Sequence, residues 1–256
     1  MEPLVEEHFN VELFWEARMR VLLLGATGYI GGAVLGRLVD SGHEVIAAVR
    51  SPERAAAQLG QARRVQLVRG DASDPAAMGD LVRSVGAEAV IHGAAVGDYD
   101  VDRRLVAALA SALAHRGSGN DERTRALVYT SGVWVLGATN GRPATETSDT
   151  NPIPIVAGRQ AVEAAVLAQS AVRGVVIRPG IVHGRAGGIP EMLVNWSRED
   201  GIGRFVASPE GTSVAWPMVH VDDLADLYVR AVESDSARGV LHGVAEAGVA
   251  VADLAV

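Results

Sequence analysis

Three closely spaced glycines, in Gly25-Ala-Thr-Gly28-Tyr-Ile-Gly31, follow the apolar run Val21–Leu24 and precede a segment with helical spacing. A buried strand, a glycine turn and a helix start in this order are typical of a site for the pyrophosphate of a dinucleotide. Gly25 would permit the tight turn, Gly28 would let the backbone approach the phosphates, and Gly31 would let the helix pack close to the strand. The residues predicted to bind are Gly25, Thr27, Gly28, Tyr29, Ile30 and Gly31.

An arginine follows the second apolar run, at the position that discriminates between the two nicotinamide dinucleotides. About 20 residues past the glycines, a site for NAD usually offers a carboxylate to the ribose 2′-hydroxyl. This chain has Arg50 there and no acid. A guanidinium can pair with a 2′-phosphate and stack on adenine. The alternative is a solvated arginine that begins a loop, and we favour NADP(H) over NAD.

Apolar runs alternate with segments of helical spacing from residue 20 to about residue 180. The runs predict buried parallel strands at Val21–Leu24, Val45–Val49, Val65–Val68, Ala89–Ile91, Ala126–Tyr129 and Val175–Ile177. Helices are predicted between them at Ala33–Val39, Glu53–Leu59, Ala76–Val85, Leu105–Ala114 and Gln160–Ala168. This alternation predicts an α/β fold with a doubly wound, parallel Rossmann sheet.

The character of the sequence changes after the last of these strands. We expect residues 19–180 to form the dinucleotide-binding core, and residues 181–256 to form mainly a small C-terminal substrate lobe over the cleft. Within that lobe, Val219–Val221 and Val240–Val244 are predicted short strands, with a helix at Leu224–Ala231 between them.

The two ends of the chain carry further expectations. Residues 1–18 are an extension with a weak apolar face, for which we favour a peripheral helix. The last segment, Val249–Val256, resembles the opening of a helix, so the lobe could lack a terminal segment.

The composition excludes several classes of function. A net charge of −8 without a basic run argues against a nucleic-acid partner. No apolar run reaches the length of about 18 residues that a membrane span needs. Cysteine is absent, which excludes thiol catalysis and is compatible with a cytoplasmic enzyme. All 23 basic residues are arginine, so no mechanism that needs a lysine amine can operate.

Six motifs follow one another along the chain: Gly25-Ala-Thr-Gly-Tyr-Ile-Gly31, Gly70-Asp-Ala-Ser-Asp74, His92-Gly-Ala-Ala95, Val128-Tyr-Thr-Ser131, Arg178-Pro-Gly-Ile-Val-His-Gly184 and Val219-His-Val-Asp-Asp-Leu-Ala225. With these motifs the chain resembles the extended and atypical short-chain dehydrogenase/reductases, the NAD-dependent epimerase/dehydratase-like group. The resemblance covers residues 19 to about 250. It is specific for fold and cofactor, and less specific for the reaction.

The resemblance implies further cofactor contacts. It places Asp71 and Ala72 against the adenine. It places Gly93, Ala94 and Ala95 along the central part of the cofactor, and Pro179, Gly180 and Ile181 near the nicotinamide. Asp71 also follows a predicted strand, at the edge where ligands bind in such sheets. Capping of the next helix is the alternative role for Asp71, and both can hold.

The catalytic pattern of the family is a serine with Tyr-x-x-x-Lys, and only the serine is matched. Ser131 lies at the carboxyl end of the predicted fifth strand. The dyad should fall within Ile153–Glu163. One register, which aligns Glu163 with a glutamate common after the lysine, puts Arg159 at the lysine position and Ile155 at the tyrosine position.

A second register, which aligns Gly158-Arg159 with a common Gly-Arg pair, puts Ala157 and Ala161 at those positions. Neither register supplies a tyrosine, and the chain contains no lysine. Arg159 could hold ribose hydroxyls and supply charge, but a guanidinium is a poor proton donor at neutral pH. The alternative for Arg159 is a surface position on the helix.

Other groups could donate the proton to the substrate or polarise its carbonyl. Ser131 could polarise a carbonyl by itself. His183 sits where relatives commonly carry tyrosine, and histidine titrates near neutral pH. Tyr99 follows the fourth strand and is expected to face the cleft. Structural roles are the alternative for each, and the histidines show no metal-ligand spacing.

Three hypotheses remain. The first is an NADP(H)-dependent reductase, dehydrogenase or epimerase that acts on a small organic molecule with a non-standard proton donor. The second is a non-redox isomerase, dehydratase or cyclase, and the third is a regulatory protein that binds the dinucleotide without turnover. The expected partner is a small-molecule substrate, and a homodimer is one assembly that the chain could form.

Overall fold

The computed structural model describes residues 18–59, 64–115, 125–203, 205–208, 211 and 213–254. Its strands are β1 (Arg20–Leu24), β2 (Glu44–Val49), β3 (Val65–Arg69), β4 (Ala89–His92), β5 (Ala126–Thr130), β6 (Arg173–Pro179), β7 (Ile181–His183), β8 (Ala215–His220), β9 (Gly239–Gly243) and β10 (Glu246–Ala250). Its α-helices are α1 (Tyr29–Asp40), α2 (Pro52–Leu59), α3 (Pro75–Val85), α4 (Tyr99–Ala114), α5 (Arg159–Leu167), α6 (Gly188–Asp200) and α7 (Val221–Glu233).

Seven strands form one parallel sheet in the order β3-β2-β1-β4-β5-β6-β9. Buried side chains of α1, α2 and α7 pack on one face of this sheet, and those of α3, α4 and α5 pack on the other. Both faces are therefore covered, which is why the inner strands are mostly apolar rather than alternating. The prediction of a doubly wound Rossmann sheet is confirmed.

Two helices begin earlier than the periodicity predicts. Helix α1 begins at Tyr29, directly after the glycine turn. Helix α4 begins at Tyr99 because the Asp98 carboxylate accepts hydrogen bonds from the amides of Asp100 and Val101, at 2.8 and 3.1 Å. Carboxylates at this position satisfy amides that have no partner within the helix. Tyr99 is therefore fixed at the carboxyl edge of the sheet.

The C-terminal part differs from the prediction. Strand β9 pairs with β6 in the large sheet, and α7 packs beside α1, so the prediction that both belong to a small lobe is wrong. Val221 begins α7 instead of ending a strand, because His220 Nδ1 accepts from the amide of Asp222 and caps the helix. Helix α6 lies in a stretch where no helix was predicted.

The small sheet has the order β10-β8-β7. Helix α6 lies against β7, and the segment after β10 is a single 3₁₀ turn at Val251–Leu254. The prediction of a helix at Val249–Val256 is therefore wrong over its described part, since Val249 and Ala250 are in β10. The helix expected in the N-terminal extension lies outside the described residues, and the division of the chain at residue 180 stays a prediction.

Two absences concern only the part of the chain that the structure describes. None of its helices combines the length and the apolar character that crossing a membrane requires. None of its groups of histidine and acidic side chains is arranged to hold a metal ion.

Arg173 joins β6 to the end of α7. Its guanidinium is 1% exposed and donates to the carbonyl oxygens of Ala231, Val232 and Ala237, at 3.0, 2.8 and 2.8 Å. The last carbonyls of a helix have no partner within it, and a cation is favourable at that end. The buried charge therefore fastens α7 to the sheet.

We expect Arg173→Ala to lower the free energy of unfolding by about 3 kcal/mol, because it leaves three carbonyl groups, two of them buried, without their donor. Urea unfolding followed by circular dichroism measures this change. Arg230→Ala is the control, because Arg230 lies on the exposed side of the same helix and pairs there with Asp226. Equal stability of the two variants would contradict the role given to Arg173.

Candidate active site

The glycine turn leaves no room for side chains between β1 and α1. Gly25 has φ of +90°, and a Cβ on it would lie 2.6 Å from the carbonyl oxygen of Gly93. A Cβ on Gly31 would collide with the carbonyl oxygen of Gly25. The amide of Gly28 donates to that same oxygen at 2.9 Å, which closes the turn. The geometry thus matches the roles predicted for Gly25 and Gly31, and it leaves the start of α1 open to an anion.

Asp71 and Arg50 lie next to each other at the β2–β3 end of the carboxyl edge. The Asp71 carboxylate accepts from the amide and hydroxyl of Ser73, at 2.9 and 2.8 Å. These two bonds, and to a smaller extent the charge of Arg50, hold the pKa of Asp71 below its usual value. Asp74, not Asp71, caps α3 through the amide of Ala77. Asp71 is thus not needed as a cap for that helix.

The Arg50 side chain is exposed. Its own carbonyl oxygen accepts from Arg69 at 2.9 Å. Glu53 pairs instead with Arg69, at 3.5 Å. Within the described residues no carboxylate forms an ion pair with the Arg50 guanidinium.

The residues predicted to contact the central part of the cofactor lie on the loop after β4. The amide of Gly93 donates to the carbonyl oxygen of Leu24 at 3.0 Å, which brings the loop against the glycine turn. Ala94 and Ala95 follow Gly93 toward α4, and Ala72 follows Asp71. Ala72 and Ala94 pack partly buried against the core, and the cofactor contacts of Ala72, Ala94 and Ala95 stay predictions.

The residues predicted near the nicotinamide lie between the two sheets. Pro179 ends β6 and Ile181 begins β7, with Gly180 as the connection. The amide of Gly180 donates to the carbonyl oxygen of Gly243 at 2.9 Å, and a Cβ on Gly180 would lie 2.6 Å from that of Pro217. Tight backbone packing fixes this crossing.

Ser131 lies at the expected edge, but its hydroxyl is already engaged. The side chain is buried and donates a short hydrogen bond to Glu163 Oε1. Glu163 also pairs with Arg178, whose Nε and Nη2 lie 3.1 and 2.6 Å from its two oxygens. A hydroxyl has one proton to donate, so a substrate carbonyl could receive it only if this bond were given up. Sequence reasoning missed Arg178, and gave Glu163 only as an alignment marker, although charges inside apolar elements are the signal for such a network.

Arg159 lies beside Ser131 as the first residue of α5. Its Nη1 donates to the carbonyl oxygen of Ser131 at 2.5 Å. A Cβ on Gly132 would approach the same nitrogen to 3.0 Å. The half-buried guanidinium therefore brings a positive charge to the carboxyl end of β5, and it is not a surface residue of the helix.

Tyr99 reaches the segment that would hold the missing dyad. Its hydroxyl donates to the carbonyl oxygen of Ile155 at 3.1 Å, and its ring fills the space beside Gly158. Ile155 is 72% exposed. The structure thus brings a phenol to the residue that takes the tyrosine position in one of the two registers.

His183 is half-buried at the end of β7. Its ring meets that of His220 edge to face, with centroids 5.3 Å apart. His220 itself caps α7, so it has a structural role.

A second buried polar group lies below the loop after β4, and sequence reasoning did not find it. His92 Nε2 lies 2.5 Å from Asp102 Oδ1, and the Tyr129 hydroxyl donates to Asp102 Oδ2 at 3.3 Å. Burial is the main cause that raises the pKa of Tyr129, followed by the charge of Asp102. Tyr129 is therefore a protonated core residue, in agreement with the prediction.

Sequence comparison connects the chain to characterised and uncharacterised proteins. Residues 21–242 match the model of the NAD dependent epimerase/dehydratase family. An uncharacterized protein of Schizosaccharomyces pombe, C2A9.02, is 32% identical over an alignment of 247 residues that covers 93% of this chain and 78% of that protein. A 3-diazoavenalumate denitrifying reductase of a Streptomyces species is 31% identical over 244 residues, covering 88% and 75%.

Solved structures share the fold at low sequence identity. The dTDP-glucose 4,6-dehydratase of Bacillus anthracis in complex with NAD superposes with a TM-score of 0.74 at 14% identity, covering 92% of this chain and 78% of that one. The UDP-glucose 4-epimerase of Thermus thermophilus in complex with NAD gives 0.71 at 22% identity, covering 92% and 81%.

We expect Glu163→Gln to lower the free energy of unfolding by about 3–5 kcal/mol, because it leaves the Arg178 charge buried without its partner. Urea unfolding measures the loss. In the double variant Glu163→Gln/Arg178→Met no charge is stranded, and more than half of the loss is expected to return. A single variant as stable as the wild type would contradict a buried ion pair.

Proposed function

The chain belongs to the NAD dependent epimerase/dehydratase family, and from that premise we propose that it is an NADP(H)-dependent oxidoreductase acting on a small organic molecule. The observation that carries this proposal is the position of the Tyr99 hydroxyl, 3.1 Å from the carbonyl oxygen of Ile155. Ile155 takes the tyrosine position in the register that puts Arg159, four residues later, at the lysine position. It offers a proton donor and a positive charge at an edge where the usual tyrosine and lysine are missing.

The glycine turn supports the binding of a dinucleotide. Side chains at Gly25 or Gly31 would occupy backbone positions of Gly93 and Gly25, so the turn can exist only with glycine there. It leaves the first amides of α1 facing the carboxyl edge, where they can hold a pyrophosphate. When bound there, a nicotinamide dinucleotide supplies or accepts a hydride.

Arg50 supports NADP(H) over NAD. The solved structures cited above contain NAD, so the preference rests on this residue. The guanidinium is exposed at the end of β2, and none of the ion pairs of the described residues uses it. A free guanidinium can bind a phosphate with two parallel hydrogen bonds.

Tyr99 is better able than Ser131 to donate to a substrate. Its hydrogen bond is to a neutral carbonyl in an accessible position, whereas that of Ser131 is to a buried carboxylate. Exchange of a neutral bond costs about 0.5–1.5 kcal/mol, and that of a bond to a charged group about 1.5–3 kcal/mol. We therefore assign the proton to Tyr99 and a positioning role to Ser131, which holds Glu163.

In the reductive direction, Tyr99 transfers its proton to the substrate oxygen while the carbonyl carbon is reduced. Arg159 stabilises the negative charge that develops on the substrate oxygen or on the phenol. A fixed cation stabilises such charge more where the surrounding protein partly excludes water. Tyr99 is half-buried, so water can return its proton. His183, at the end of β7 in the small sheet, is the second proposed donor.

One relative, at 31% identity, is named a 3-diazoavenalumate denitrifying reductase, which favours a reductase within the family. Isomerisation or dehydration without net redox change, and dinucleotide binding without turnover, are the other hypotheses. They differ in outcome, since only a reductase consumes the reduced cofactor.

Arg50→Glu is expected to weaken NADPH binding about 100-fold and NADH binding less than about threefold, because the reversed charge faces only the 2′-phosphate. Titration calorimetry with both dinucleotides measures the two Kd values. Arg54→Glu makes the same charge change four residues away and is expected to change neither Kd by more than about twofold. Equal loss of NADPH and NADH binding in Arg50→Glu would refute the assignment.

Tyr99→Phe is expected to lower kcat about 10²–10⁴-fold, the range of a general acid, without a change in the Kd of NADPH. The assay uses 4-deuterated NADPH with a panel of carbonyl compounds and 3-diazoavenalumate, and it follows the label by mass spectrometry. His183→Gln is the matched comparison and is expected to lose less than about tenfold. The opposite ranking would assign the proton to His183, and absence of label from every product would contradict a reductase.

A further inference from the structure

The turn between β7 and α6, residues 184–187, has an unusual backbone. Gly184, Arg185 and Ala186 have φ values of +100°, +51° and +52°, and Gly188 follows at +89°. Side-chain-bearing residues rarely adopt this region, because the Cβ crowds the following carbonyl group. Two such residues in succession persist only where the surroundings hold them, and such sites are often functional. We call this segment the 184–187 turn.

Tyr29 holds the turn from the side of the large sheet. Its hydroxyl donates to the carbonyl oxygen of Gly184 at 2.7 Å. A Cβ on Gly187 would lie 2.5 Å from Cε2 of the same ring, so Gly187 and the ring are in close contact. Burial raises the pKa of the Tyr29 phenol, with the charge of Asp222 adding to the rise. The phenol therefore stays a donor at neutral pH.

The small sheet and α7 hold the turn from the other side. The His220 ring fills the space beside Gly184, where a Cβ would collide with it. Arg185 Nε lies 2.7 Å from Asp222 Oδ1, and Asp222 is in the first turn of α7. The turn is thus clamped between an aromatic ring from α1 and groups that precede and begin α7.

Tyr29 takes part in two sites at once. It is the first residue of α1, directly after Gly28, so its backbone belongs to the predicted pyrophosphate site. The first amides of a helix have no partner within it, and an anion bound there fixes their positions. The side chain of the same residue fixes the 184–187 turn, and His183 directly precedes that turn.

We propose that Tyr29 is a positioning residue that couples dinucleotide binding at the glycine turn to the conformation of the 184–187 turn, and through it to the placement of His183. This inference rests on the dinucleotide site of the proposed function. The dinucleotide holds the backbone of Tyr29, and the phenol passes that constraint to the substrate side of the cleft. Neither Ser131 nor Tyr99 takes part in this coupling.

Trypsin reports on the turn directly, because it cleaves after arginine and the Arg185–Ala186 bond lies inside the turn. The chain has 23 arginines and no lysine, so mass spectrometry can follow the peptide that ends at Arg185 against the other sites. In the wild-type protein we expect saturating NADPH to slow this cleavage about tenfold, because binding stabilises the closed turn.

In Tyr29→Phe, cleavage without NADPH is expected to be about three- to tenfold faster, the effect of one lost neutral hydrogen bond. NADPH should then protect the bond less than about twofold at concentrations that saturate the variant, as set from its own Kd in calorimetry. Asp222→Asn is the matched control, because it loosens the turn from the opposite side with Tyr29 intact. It should cleave faster without NADPH and retain the tenfold protection, within a factor of about two.

Wild-type protection in Tyr29→Phe, with normal NADPH binding, would overturn the coupling and leave the proposed function standing. The coupling would also be overturned if Asp222→Asn lost NADPH protection to the same degree as Tyr29→Phe. Any loosening of the turn would then remove the protection, whether or not Tyr29 is intact. Failure of the wild-type protein to bind either NADPH or NADH in calorimetry would overturn the proposed function and this inference together.

Discussion

The carboxyl end of β1 is crowded to the limit that backbone atoms allow, and the arrangement of the site follows from that crowding. The turn at Gly25 meets the loop at Gly93 on one side and the first turn of α1, at Gly31, on the other. Because no side chain fits between these segments, their separation is fixed by covalent geometry and hydrogen bonds. The edge of β1, the edge of β4 and the start of α1 therefore form one rigid cradle.

The chemistry beside this cradle is distributed in an unusual way. The family pattern calls for a tyrosine and a lysine within residues 153–163, whereas this chain has an exposed Ile155 there and Arg159 as the first residue of α5. A phenol arrives from a different element, α4, whose start is moved toward the edge by the Asp98 cap. The buried Glu163–Arg178 pair holds Ser131, so the groups that support the edge are separate from those that can exchange protons.

The large sheet was predictable because its strands are buried on both faces, and such strands produce continuous apolar runs such as Val45–Val49. The glycine turn was predictable because its steric constraint is local. The ion pair that holds Ser131 was not predictable. Its members, Glu163 and Arg178, lie on different elements and meet only when α5 packs on β6. The place of β9 was also not predictable, because five residues cannot tell which sheet will pair with them.

The chain passes between the large and the small sheet three times: at Gly180 between β6 and β7, at His220 between β8 and α7, and after Gly243 between β9 and β10. A lobe that is joined by one linker can rotate as a rigid body about that linker. Here three backbone connections join the two sheets, so the small sheet has no single hinge about which to rotate. Helix α6 lies between β7 and β8, two strands of the same small sheet, so it is not one of these crossings. Changes in the length of α6 would therefore leave all three crossings in place.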